Sequence, residues 1–216
     1  MLQRDLAILY SAIGDKVKAA DAFEVVFEAL QHPGQFDLNF RQQKSLEANP
    51  ATTYEQIGQA FIDADRPQLA VKAYEEALKA RRGKPGTLSY HLAEAYLATG
   101  EIDKALEEIQ KYFDAQLQTK GRDAYELLAK ILKAKNQTKE LLSRLEKMAE
   151  ADPRNSTLSY FLAEQYMEDN QLDKAEDLYK KTLDGNKDPE GYAGLASVYR
   201  RKNKPDELLN ALTQAI

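Results

Sequence analysis

Along this chain apolar residues recur three and four positions apart over stretches of about a dozen residues, and each stretch stops at a small or polar turn residue. Between residues 86 and 121 the pattern is clearest. Leu92, Ala93 and Tyr96 share one helix face, Gly100 follows four positions on, Ala105 comes five beyond it, and Ile109 and Tyr112 extend a second apolar stripe. Small side chains at Ala93 and Ala105 let two antiparallel helices approach closely, so the stretch is predicted to be a helical hairpin.

The hairpin is repeated. Thr87-Leu88-Ser89-Tyr90 reappears as Thr157-Leu158-Ser159-Tyr160, Leu92-Ala93-Glu94 as Leu162-Ala163-Glu164, and Asp103-Lys104-Ala105 as Asp173-Lys174-Ala175. The small residue recurs at Ala7, Gly58, Ala93, Ala129, Ala163 and Ala196, in steps of 51, 35, 36, 34 and 33. Such periods denote stacked supersecondary units. The turn position reads Gly14, Asp65, Gly100, Asn136, Asn170 and Asn203, residue types that tolerate the left-handed backbone ending a helix. Pro50, Pro67, Pro189 and Pro205 each fit a first helical turn, with Asn49 and Asp188 as capping residues before two of them. The expected units are 1–30, 51–85, 86–121, 122–155, 156–188 and 189–216, in a single repeat domain with an insertion over 31–50. That insertion opens with His32-Pro33-Gly34 and carries Phe36, Leu38, Phe40 and Leu46, which need burial. It reads either as an extra helix packed on the rim or as a protruding binding arm. The first unit starts with its first helix barely begun and the last stops with its second, whereas a solenoid normally ends in a polar-faced cap. The expectation is a piece of a longer protein, or ends covered by a partner or a second copy.

Composition narrows the function classes. A net charge of -5 supplies no broad positive field for nucleic acid, and no run of about 20 apolar residues suggests membrane insertion. The basic cluster Lys79, Arg81, Arg82 and Lys84 falls where a helix should end, complementing its dipole. Cysteine is absent, which removes thiol chemistry and fits a reducing cytoplasm or a bacterial periplasm equally. His32 and His91 are too far apart for a metal motif, and no phosphate-cradling loop, Gly-x-Ser-x-Gly elbow or His-Glu-x-x-His occurs. No catalytic residue, cofactor or metal is expected, and carboxylates on an open solenoid lack the closed site that catalysis needs.

The pattern resembles the tetratricopeptide repeat over nearly the whole chain. Leu128, Ala129, Leu132, Leu145, Ala149 and Pro153 follow that consensus in the fourth unit, and Leu162, Ala163, Tyr166, Ala175 and Tyr179 in the fifth. Leu141 and Leu208 depart from it, standing where the consensus has Ala, and tryptophan is absent. The resemblance implies an all-α, right-handed α-solenoid of antiparallel helix pairs that binds a protein or peptide. It also implies that the first helix of each pair lines a concave face. The residues implied to face a partner are Glu55, Gln59, Tyr90, Glu94, Glu126, Lys130, Lys133, Tyr160, Glu164, Met167, Arg200 and Arg201. Tyr90 and Tyr160 read either as aromatic anchors for a peptide or as packing against the neighbouring repeat. Family members that grip a chaperone's carboxylate tail place Lys and Asn where this chain has Glu55 and Gln59, Tyr90 and Glu94, Glu126 and Lys130, Tyr160 and Glu164, so that activity is not expected. The alternatives to groove binding are self-association or docking through uncapped ends, and a regulatory arm of a larger enzyme.

Overall fold

The computed structural model describes residues 2–36, 38–41, 44, 48–84, 86–117, 119–184 and 188–215. Among these the chain is all-α, with twelve α-helices in sequential antiparallel pairs. They divide into two compact units, Met1–Thr119 and Lys120–Ile216.

The first unit holds α1 (Leu2–Ala12), α2 (Lys16–Gln31), α3 (Pro50–Asp63), α4 (Pro67–Ala80), α5 (Leu88–Thr99) and α6 (Ile102–Asp114). The second holds α7 (Arg122–Ala134), α8 (Thr138–Ala151), α9 (Ser156–Glu168), α10 (Leu172–Leu183), α11 (Pro189–Arg201) and α12 (Pro205–Gln214). Odd-numbered helices are the A member of each hairpin and even-numbered ones the B member.

Local chemistry sets the helix ends. All six expected turn residues have positive φ, from 55° at Asn203 to 81° at Gly14 and Gly100. Pro50, Pro67, Pro189 and Pro205 each open a helix, where the missing N–H removes no intrahelical bond. Asp188 caps α11 by accepting from the Glu190 N–H at 3.0 Å. Asn49 occupies the cap position of α3 without a side-chain cap; instead the Thr53 hydroxyl donates to its carbonyl at 3.1 Å. Asp15 and Asn155 are caps that periodicity does not single out, accepting from the N–H groups of Lys18 and Leu158.

Each unit has its own core. In the first, Phe27 meets Tyr54 and Phe61 edge-on, and Tyr74 stacks on His91 at 5.7 Å. In the second, Leu128, Ile131, Leu132, Leu145 and Tyr179 are almost wholly enclosed. Five of the six recurring small residues are buried; Ala129 is only half-buried. Its hairpin, α7 with α8, makes fewer close backbone approaches than the others. Leu141 occupies the position held by Ala19, Ala70, Ala105 and Ala175 in four other hairpins and by Leu208 in the last, and it is buried.

The insertion differs from its expected burial. Pro33–Gln35 form a single turn of 3-10 helix, Phe36 and Leu38 are half-buried, and Phe40 is 77% exposed; Leu46 lies outside the described residues.

Candidate interaction surfaces

Within each unit consecutive A helices approach one another more closely than consecutive B helices do: α3 meets α5, and α9 meets both α7 and α11. The A side of each unit is therefore its inner side, and the sequence-selected residues all fall on A helices.

In the first unit Glu55 on α3 pairs with Arg81 at the end of α4, 2.6 Å apart, so one member of the basic run reaches back to the A side. Gln59 donates to Asp63 on its own helix at 2.9 Å. Tyr90 is only 7% exposed; its ring packs between His91 and Tyr112 while its hydroxyl donates to Glu94 at 3.2 Å. Glu94 also lies 3.4 Å from His91 Nδ1. Beneath this row, burial raises the pKa of the Tyr74 phenol, with the carboxylates of Glu94, Asp63 and Glu55 pushing the same way.

In the second unit the organising residue is one that the repeat rule did not select. Arg122 opens α7, donates Nε to Glu126 at 2.8 Å, grips both carboxylate oxygens of Glu164 on α9, and lies 5.4 Å over the Phe161 ring. The bidentate grip on Glu164, followed by the bond to Glu126, raises the guanidinium pKa against the opposing effect of desolvation. Tyr160 is 2% exposed and stacks on Tyr179 at 5.8 Å. Its phenol pKa is raised by burial, then by the nearby Asp188 carboxylate. Met167 is half-buried, and its carbonyl accepts from Arg201, which also reaches Asn170. Lys130, Lys133 and Arg200 are exposed and carry no ion pair among the described residues.

Arg122, Glu126 and Glu164 thus form one cluster, and Tyr90 with Glu94 another. Both tyrosines lie in the packed layer under the inner face. The Arg122–Glu126 pair has the helical spacing of four and was legible in the sequence; the grip on Glu164, 42 residues away, has no local signal.

An all-α series of two-helix units with left-handed residues at the hairpin turns defines a helical-repeat protein. The chain belongs to the tetratricopeptide repeat family, which it matches over residues 56–116 and again over 118–199. It is 24% identical over 185 residues to the BBSome complex member BBS4 homolog of Drosophila melanogaster, an alignment covering 80% of this chain. The chain spans 38% of that relative's length. Among solved structures it resembles pilF of Pseudomonas aeruginosa, with 11% identity, 97% of this chain and 87% of that one covered, and a TM-score of 0.58. It also resembles MamA of Desulfovibrio magneticus RS-1, with 21% identity, coverage of 77% and 93%, and a TM-score of 0.53. At these identities the two structures speak for the fold alone.

Proposed function

We propose that this chain is a non-catalytic interaction module that holds a peptide or protein segment on the inner A-helix faces of its hairpins. Tetratricopeptide repeat proteins mediate protein–protein interactions, and one observation carries the reading to this surface. In the second unit Arg122 pairs with Glu126 and Glu164 and fixes both in place, while Lys130 and Lys133 on the same helix as Glu126 stand exposed without an ion pair among the described residues. A preorganised polar surface with available cations suits a segment carrying carboxylates. Tyr90 and Tyr160 support that surface from below, so truncating them would test packing rather than binding. The test is therefore Lys130→Glu with Lys133→Glu, exposed changes that leave the core alone. Binding of a partner captured by the unaltered chain, measured by calorimetry, should weaken at least about tenfold. Unchanged affinity would remove the inner face of the second unit as the site.

A second reading, docking into a multi-subunit assembly, is favoured by the likeness to a BBSome complex member and by Leu9, Ile13 and Val17 exposed on the first hairpin. Light scattering over a concentration series distinguishes self-association from docking onto a different subunit.

A further inference from the structure

The inner A-helix faces are not the only surface on offer. On the B side of the second unit α8, α9 and α10 enclose a cleft of about 780 Å³, within the range of roughly 300–1,000 Å³ common to ligand sites. The corresponding place in the first unit, over α5 between α4 and α6, explains why the second is open. Both share one framework. Tyr96 donates to Glu75 at 2.8 Å with Lys104 5.0 Å over its ring, and Tyr166 donates to Glu146 at 2.6 Å with Lys174 5.0 Å over its ring. The filling differs. In the repeat register the positions of Leu78 and Tyr112 become Ala149 and Thr182, so two large side chains are replaced by small ones.

The floor differs too. In the first unit buried Ser89 donates to Glu108 at 2.8 Å, and Lys111 pairs with that carboxylate at 2.7 Å. The position of Glu108 is Leu178 in the second unit. Ser159, the counterpart of Ser89, consequently has no hydrogen-bond partner for its hydroxyl among the described residues and lines the cleft. The Ser159 hydroxyl opens to the cleft, where it is available to a polar group of a ligand. Of the charged groups lining the cleft, Lys174 pairs with Glu146 at 3.6 Å, while Glu150 and Asp177 carry no ion pair among the described residues and face one further amine, that of Lys181.

We infer that this cleft is a second binding site, independent of the inner face, which takes a segment of a partner protein presenting a large apolar side chain followed by a cationic one. The apolar group sits over Leu162 and Leu178, a backbone group of the segment meets the Ser159 hydroxyl, and the cation lies against Glu150 and Asp177.

The probe is acetyl-Leu-Phe-Lys-Leu-amide titrated into the full ¹⁵N-labelled chain, with the Glu-for-Lys peptide as its charge-reversed counterpart. Saturable shifts are expected at the amides of Ser159, Leu178 and Thr182, with the reversed peptide at least about threefold weaker. Two variants restore the first unit's chemistry: Ala149→Leu with Thr182→Tyr fills the space, and Leu178→Glu gives Ser159 and Lys181 the carboxylate their counterparts have. Each should lower affinity at least about fivefold, and because the second changes one residue to its repeat equivalent it serves if the first unfolds the chain. No saturable shift, equal binding of both peptides, or undiminished binding by a folded variant overturns the inference. Equal saturation by indole alone also overturns it, in favour of a small apolar ligand.

Discussion

At Gly58 on α3 the first unit leaves no room for a side chain, and adding one methyl group there measures how rigid that contact is. A Cβ at this position would stand 2.5 Å from Cε1, 2.6 Å from Cδ1 and 2.8 Å from Cζ of Tyr74, whereas carbon atoms settle at about 3.5–4.0 Å. The ring must retreat by about 1 Å. It has little room, being 1% exposed and stacked on His91. Two terms oppose each other in Gly58→Ala: a gain of about 1 kcal/mol from helix propensity, and an overpacking cost of about 1–3 kcal/mol. Three rigid ring atoms are struck at once and the ring is fully enclosed, so the cost falls at the upper end. The net expectation is a loss of about 1–2 kcal/mol. Urea unfolding followed by far-ultraviolet circular dichroism reads it, with Gly58→Ala/Tyr74→Leu completing a double-mutant cycle. The pair should cost at least about 1 kcal/mol less than the sum of its singles, because the shortened side chain vacates the space the methyl needs. A Gly58→Ala variant as stable as the parent, or an additive cycle, would refute the close-packed account of this hairpin.

The Tyr74 hydroxyl itself is buried without a hydrogen-bond partner among the described residues, so Tyr74→Phe should leave the urea midpoint unchanged or raise stability by up to about 1 kcal/mol; a clear loss would reveal a bond that this geometry lacks. Acid sensitivity should trace to Glu176, which is buried on α10 and clamped by Lys180 and Lys202, with Lys204 at 3.5 Å. Desolvation raises its pKa, but the hydrogen bonds to Lys180 and Lys202 prevail and lower it from 4.5 to about 2. A depressed carboxylate contributes its stability in full above the unfolded value, so the contribution, on the order of 3 kcal/mol at most, is present above about pH 4.5 and fades towards pH 2. Stability of the parent minus that of Glu176→Gln, measured from about pH 7 down to about pH 3, should shrink through this window; a difference that stays constant contradicts the clamp.

Element type and element ends were legible in the sequence because they are local. A positive φ at Asp65, Asn136, Asn170 and Asn203 follows from residue types that tolerate it, and a proline that fits a first turn opens its helix. The repeat period likewise told which face of each helix is apolar. Covering a face is a different matter, because that depends on which side chain of another helix arrives over it. Tyr90 and Tyr160 share a register with the half-buried Glu55 and Glu126, yet the rings of Tyr112 and Tyr179 close over them. Arg122 meets Glu164 across 42 residues, and the cleft beside Ser159 exists because Ala149 and Thr182, from two different helices, are both small. Periodicity assigns a residue to a side of its own helix; only the packing of one helix on the next decides whether that side is filled, paired or left open.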